Sequence, residues 1–208
     1  MTILKQSNKK PALVLASTSI FRKQILQKLQ LDFLTCKPET DETELAGETA
    51  YQLVKRLAES KATAGSQLHP GHFVIGSDQV AFHNGEILGK PHTIKNAEKQ
   101  LAKLSGNRVE FFTGLAVIAP NGQMKSLVEV FTVYFRQLSK SEISAYIQAE
   151  MPLNCAGSFK SEALGITLFE KLEGDDPNTL MGLPLIKLCE ILRSFDFNPL
   201  QQLPVAIK

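Results

Sequence analysis

Much of what would classify this chain at a glance is missing from it. Its three cysteines, Cys36, Cys155 and Cys189, stand far apart and form no CxxC pair. The sequence therefore indicates neither a zinc site nor a disulfide framework, and the thiols read as reduced ones in a cytoplasmic protein. No apolar run approaches the ~20 residues that a membrane span needs. No run of five basic residues exists, and the net charge is only +2, which argues against nucleic acid as a bulk partner. Met1 to Lys10 is polar and lacks the apolar segment of a secretory signal. A Walker phosphate loop, a GxGxxG turn, the protein-kinase signature set, a GxSxG elbow and an HExxH helix are all absent. His69, His72, His83 and His92 have no metal-ligand spacing. Internal repeats, low-complexity tracts and a linker of domain-boundary length are lacking too.

What is present is an ordinary globular composition, 43% hydrophobic and 21% charged over 208 residues, long enough for one sizeable core without staples. The pattern predicts a single domain over 11–197, with poorly ordered tails at 1–10 and 198–208. Leu13 to Ala16 reads as a strand buried on both faces. Ser17-Thr18-Ser19 offers N-cap hydroxyls to a helix from Ile20 to about Leu29. The open N–H groups of that first turn suit an anion, and Arg22 adds a planar fork for phosphate oxygens. Phe33 to Thr35 is a second strand, followed by an acidic loop through Asp41 and Glu42. Thr49 caps a helix to about Ala64, ended by Gly65, with Lys61 on or beside its apolar stripe.

Phe73 to Ile75 reads as a buried strand at whose end stands Asp78, a carboxylate that is costly there without partners. Capping of a turn would explain it equally well. Val80 to Leu88 is a hairpin turning at Asn84-Gly85. Lys90 follows between Gly89 and Pro91. Thr93 opens a helix to Leu104. Val109 to Ala119 is a strand whose Thr113-Gly114 suggests a bulge or a close backbone approach. Ser126 to Arg136 is a long strand, and Ser139 with Glu142 forms a capping box for a helix to Glu150. A loop from Asn154 to Gly165, a strand from Ile166 to Leu172, a loop to Gly182 and a helix begun at Pro184 complete the chain. The fold class is α/β with a mixed sheet.

Arg22, Lys61 and Lys90 are three cations in or near turns, with Glu42 and Asp78 as acids. Cations at a helix N-terminus suit a polyphosphate, carboxylates suit a bridging divalent ion, and a free acid can activate water. Spacing alone gives only a phosphate-ester or anhydride hydrolase.

Several separated stretches together resemble the Maf family of nucleoside triphosphate pyrophosphatases: Leu13 to Ser19 with Arg22, Asp41-Glu42, Ala58 to Ala62 around Lys61, Val74 to Asp78, and Leu88 to Pro91. Leu104-Ser105-Gly106, Thr113-Gly114 and Gly182 to Pro184 look like later landmarks in the same order. Gly76 to Gln79, Ala156 to Glu162 and Asp176 to Leu180 are similar to the branch acting on 7-methyl-GTP. The resemblance implies two lobes around a cleft, and water attack on the α-phosphorus to give a monophosphate and pyrophosphate. It implies Asp78 as proton acceptor, with Arg22, Lys61 and Lys90 holding the triphosphate together with the Ser17, Thr18 and Ser19 turn. Glu42, with Asp78, would face a Mg2+ or Mn2+ class cation, and Phe21, Gln79 and Glu162 would set base choice. The branch commonly carries Pro-Trp before that arginine, where this chain has Ile20-Phe21. Two alternatives stand beside this reading: a Maf pyrophosphatase for other nucleotides (dTTP, UTP, CTP), and a nucleotide-binding regulator of cell division with weak turnover. A free nucleotide is the expected partner, with no membrane; a homodimer is compatible with the sequence.

Overall fold

The computed structural model describes residues 12–203; the tail expected at 1–10 lies outside them. Seven strands form one mixed sheet in the order β2-β1-β3-β5-β6-β7, with β4 also on β3. The strands are β1 (Leu13–Ala16), β2 (Phe33–Cys36), β3 (Phe73–His83), β4 (Glu86–Leu88), β5 (Arg108–Ile118), β6 (Met124–Phe135) and β7 (Phe169–Glu173). β1 runs parallel to β2 and β3, and every other pairing is antiparallel. The longer helices are α1 (Ile20–Gln27), α2 (Ala50–Leu68), α3 (Ile94–Leu104) and α4 (Lys140–Glu150). Short α5 (Pro177–Leu180), then α6 (Leu185–Arg193) and α7 (Pro199–Gln202), close the chain. No helix among the described residues is long and apolar enough to cross a membrane.

The long strands β3, β5 and β6 pass through two cores, and a third, smaller cluster of Val14, Ala16, Ala58, Ala62, Val74, Ala116 and Ile118 packs α2 onto the sheet. At one end Leu13, Leu15, Ile25, Ile75, Leu115 and Leu188 pack α1 and α6 onto the parallel part of the sheet. At the other, Leu101, Leu104, Val109, Phe135, Tyr146 and Ile147 gather α3 and α4. These are the two expected lobes. The predicted caps are made: Thr49 and Ser139 each complete a capping box, which satisfies N–H groups that a helix leaves open at its start. Asn84 and Gly85 both have positive φ in the β3–β4 turn, as a tight two-residue hairpin requires.

Four expectations change. First, β3 does not stop before Asp78; it continues unbroken to His83. Gly76 permits this, because a Cβ there would stand 2.2 Å from the Ala58 carbonyl oxygen and 2.5 Å from Ala62 N. The missing side chain lets α2 lie directly on the strand, where a turn was expected. Gly114 does the same on β5, its Cβ position being 2.1 Å from the Val54 carbonyl oxygen; this is the close approach, and the β3–β5 register runs through it without a bulge. Second, α2 runs past Gly65 to Leu68. Gly65 is a packing residue, since a Cβ would meet Ala16 at 2.7 Å and Val74 at 2.8 Å. Third, residues 164–168 form a short 3-10 helix, and β7 begins only at Phe169. Fourth, the supposedly weak tail from Asn198 starts with α7, which Asn198 caps through Leu200 N–H.

Candidate active site

β3 has an open stretch on one flank. Its partner β1 pairs only as far as Ile75, and β4 joins only from Ala81. Gly76 to Val80 therefore lack a strand neighbour on that side, just where β1 runs out into Ser17-Thr18-Ser19. A crevice beyond the carboxyl end of a parallel strand is the usual ligand position in such sheets. Here it is a cleft of about 740 Å3. Every residue singled out from the sequence lines it: Ser17, Thr18, Ser19, Phe21, Arg22, Glu42, Lys61, Asp78, Gln79, Lys90 and Glu162.

Strand alternation assigns the central residues to two sides. Gly76 and Asp78 face α2; Ser77 and Gln79 face the other way, toward the segment 179–182. On the α2 side, Lys61 is 6% exposed and Asp78 8%, and the ammonium donates to Asp78 Oδ1 at 2.7 Å. The same Nζ lies 2.8 Å from Glu42 Oε1. Lys61 is thus a buried cation shared by two carboxylates, which answers what compensates Asp78. Breaking such a pair by deleting one partner costs about 3–5 kcal/mol. Asp78 Oδ2 accepts no hydrogen bond among the described residues, so one oxygen is committed and one is open to the cleft.

On the opposite side the Gly182 carbonyl is a junction. It accepts from Arg22 Nε at 2.9 Å and from Ser77 Oγ at 2.9 Å, while Ser77 Oγ also reaches the Gly114 carbonyl at 2.8 Å. Arg22 is held at the start of α1 with its terminal nitrogens left over. Burial pushes its guanidinium below the ordinary value, and the charges of Asp78 and Glu42 oppose that shift; an arginine stays cationic regardless. Ser19 caps α1 by accepting from Arg22 N–H, and Ser17 Oγ accepts from Ser19 N–H. Both hydroxyl protons remain available to an anion.

Gln79 departs from the part foreseen for it. Its Nε2 donates to Thr113 Oγ1 at 2.8 Å and to the Thr179 carbonyl at 2.7 Å. Thr113, fully buried, also donates to the Thr179 carbonyl. The amide nitrogen is spent on holding α5, which leaves only Oε1 for a ligand. Sequence reasoning missed this web of Ser77, Thr113, Thr179 and Gly182. Its trace was the small polar pair Thr113-Gly114 within an apolar strand.

The other wall is looser. Lys90 is exposed and makes no hydrogen bond or ion pair among the described residues. Glu162 is exposed, and its one hydrogen bond among the described residues is from Ser161 Oγ at 3.3 Å. Between them, Lys160 is tied back to Glu150 through the carbonyl at 2.8 Å and the carboxylate at 3.4 Å. Burial raises the Cys155 thiol, against the pull of Lys160; it is a protonated wall residue, not a nucleophile. Leu53, Leu57, Phe111 and Phe159 supply the apolar lining.

Among the described residues no cluster of three or more His, Cys, Asp or Glu gathers as a metal site. The carboxylate pair Glu42 and Asp78, bridged by an ammonium, has the oxygen donors of a hard divalent cation but too few for a resident ion. It fits a Mg2+ that keeps its waters and arrives on substrate phosphates.

A family of Maf-like proteins matches this chain over residues 12–195. Solved structures with some likeness include a Ham1 protein of Staphylococcus aureus, at TM-score 0.42 and 20% identity over 60% of this chain and 71% of that one. Another is a nucleoside-triphosphatase, a dITP/XTP pyrophosphatase, of Mycobacterium abscessus, at TM-score 0.43 and 14% identity over 93% and 98%. A third is a HAM1 protein of Coxiella burnetii, at TM-score 0.49 and 15% identity over 88% and 99%.

Proposed function

The chain belongs to the Maf family of nucleotide pyrophosphatases, and from that premise we propose that it hydrolyses 7-methyl-GTP to 7-methyl-GMP and pyrophosphate. The observation that carries the reaction is the Glu42–Lys61–Asp78 trio, facing Arg22 across the mouth of α1. A triphosphate entering the cleft meets the open N–H groups of α1 and the guanidinium of Arg22 on one side. On the other it meets the Lys90 ammonium. Arg22 is fixed before the substrate arrives by its bond to the Gly182 carbonyl, which is how electrostatic stabilisation lowers a phosphoryl-transfer barrier, whereas Lys90 is drawn in.

Asp78 Oδ2 then takes the proton of a water whose oxygen bonds to the α-phosphorus. The bond from that phosphorus to the α–β bridging oxygen breaks, and its electron pair leaves with pyrophosphate. Lys61 holds Asp78 oriented through Oδ1. A divalent cation bound with the phosphates, faced by Glu42 and Asp78, would add Lewis-acid charge stabilisation. Base choice rests on Phe21, which is 38% exposed at the cleft and offers a ring face to a cationic N7-methylguanine. Glu162 adds negative charge on the facing loop, and Gln79 Oε1 is a fixed acceptor.

The test is a panel of nucleoside triphosphates including 7-methyl-GTP, GTP, dTTP, UTP and CTP, with Mg2+, Mn2+ or EDTA. Pyrophosphate release greatest from 7-methyl-GTP is expected. Greater release from another nucleotide removes the substrate; orthophosphate in place of pyrophosphate removes attack at the α-phosphorus.

A further inference from the structure

Glu42 is the one member of the trio that sits on an exposed loop, and among the described residues Lys61 alone bonds to it in the cleft. Behind the cleft the loop is clamped. Arg56 donates from Nε to Glu48 Oε1 at 2.6 Å and from Nη2 to Glu48 Oε2 at 2.7 Å, a bidentate fork. The same Nη2 reaches past that carboxylate to the Thr43 carbonyl at 3.0 Å, the residue next to Glu42. Glu48 Oε2 also accepts from Leu45 N–H at 3.1 Å, and Thr43 N–H donates to Asp41 Oδ1 at 2.9 Å. The Glu48 side chain is only 7% exposed. Arg56 and Lys61 lie on the same helix, so one rigid element grips the loop twice, through the backbone beside Glu42 and through its carboxylate.

We infer that the Glu48–Arg56 pair is the positioning device for Glu42, setting where that carboxylate stands relative to Lys61 and Asp78; the inference rests on the catalytic reading of the trio above. Neither residue lines the cleft, so any influence on turnover passes through the loop. A lysine at 56 keeps the charge but lacks the planar fork, and cannot reproduce the two parallel bonds to the Glu48 carboxylate.

The experiment is a double-mutant cycle on pyrophosphate release. Arg56→Lys should lower kcat roughly tenfold or more with KM little changed, because misplacement is felt in the reacting geometry. In a Glu42→Gln background the same substitution should cost less than about twofold, since the group being positioned is already disabled. Equal losses in both backgrounds, or no loss in the first, overturn the inference. Glu48→Gln, isosteric and able to keep the Leu45 contact, should behave as Arg56→Lys does. Amide hydrogen exchange gives a readout that needs no substrate: residues 41–48 should exchange faster in Arg56→Lys while the melting temperature holds. If the wild-type chain releases pyrophosphate from no nucleotide, the functional reading falls. The clamp is then judged by exchange alone, and unaltered exchange at 41–48 sinks it.

Discussion

The two walls of the cleft are made differently. One is built on β1, α1, α2 and β3, and its polar groups are bonded to each other: Lys61 to Asp78, Arg22 and Ser77 to Gly182, Gln79 to Thr179. The facing wall is Lys90 and the 154–162 loop, with exposed charges that bond to little. Fixed dipoles and charges assist a reaction only where they need no reorganisation, so the first wall suits the chemistry at phosphorus. Exposed charges that must be drawn in suit recognition and closure around a ligand.

The sharpest way to break that contrast is at Asp78. Asp78→Asn should leave nucleotide binding measurable by calorimetry yet slow turnover by at least ~100-fold; an unchanged rate would remove Asp78 as the base. Next comes a matched pair of added methyl groups. Gly76→Ala drives a Cβ into the backbone of α2 and should destabilise by on the order of 3 kcal/mol in urea unfolding. Gly89→Ala on the loose wall, where a Cβ would meet nothing within 4 Å, should stay within about 0.5 kcal/mol. Equal costs would erase the distinction between the walls.

Smaller again is Phe21→Ala, expected to weaken kcat/KM for 7-methyl-GTP roughly fivefold more than for GTP, the worth of a cation on an aromatic face. Equal losses on the two nucleotides defeat the stacking idea. Smallest is a pH effect behind the loose wall, in α4. The Glu142 carboxyl is held down at about 2, first by Ser139 N–H, then by the Ser139 hydroxyl and Arg136. Its folded value lies below its ordinary 4.5, so the stability it contributes is present above 4.5 and drains away as pH falls toward 2. The stability difference between wild type and Glu142→Gln should therefore change across that window and stay flat above it. A difference that is flat throughout would show that the carboxylate is not bonded this way.

The sequence made the caps, the hairpin and the order of elements legible, because each has a local chemical cause: Thr49 and Ser139 before apolar periodicity, Asn84-Gly85 between strand patterns. It also marked the cleft residues, through the spacing of the cations and acids and the family resemblance. What it hid were contacts between distant parts. Gly76 reads as a strand-breaker until α2 is seen lying on it, and Gly65 reads as a helix stop until Ala16 and Val74 occupy the space. Gln79 looked free to read a base, because nothing local says that Thr179, one hundred residues later, takes its amide protons. The clamp of Arg56 was invisible for the same reason: an arginine on a helix beside glutamates has no distinctive pattern.

The Gly182 carbonyl has a consequence for the order in which the molecule is made. Arg22 and its acceptor are 160 residues apart, and Ser77 and the same acceptor are 105 apart. A chain emerging from the ribosome presents β1, α1, α2 and β3 early, but the core they share includes Leu115, Leu183 and Leu188, and a domain folds as a unit. The emerging chain then carries the Ser17 to Ser19 turn and an acid, but an arginine without its carbonyl acceptor and a hydroxyl short of one partner. The last part of the site arrives with residue 182, after all seven strands have been synthesised. Nascent chains released before that point should lack selectivity for ligand, and competence should appear in one late step.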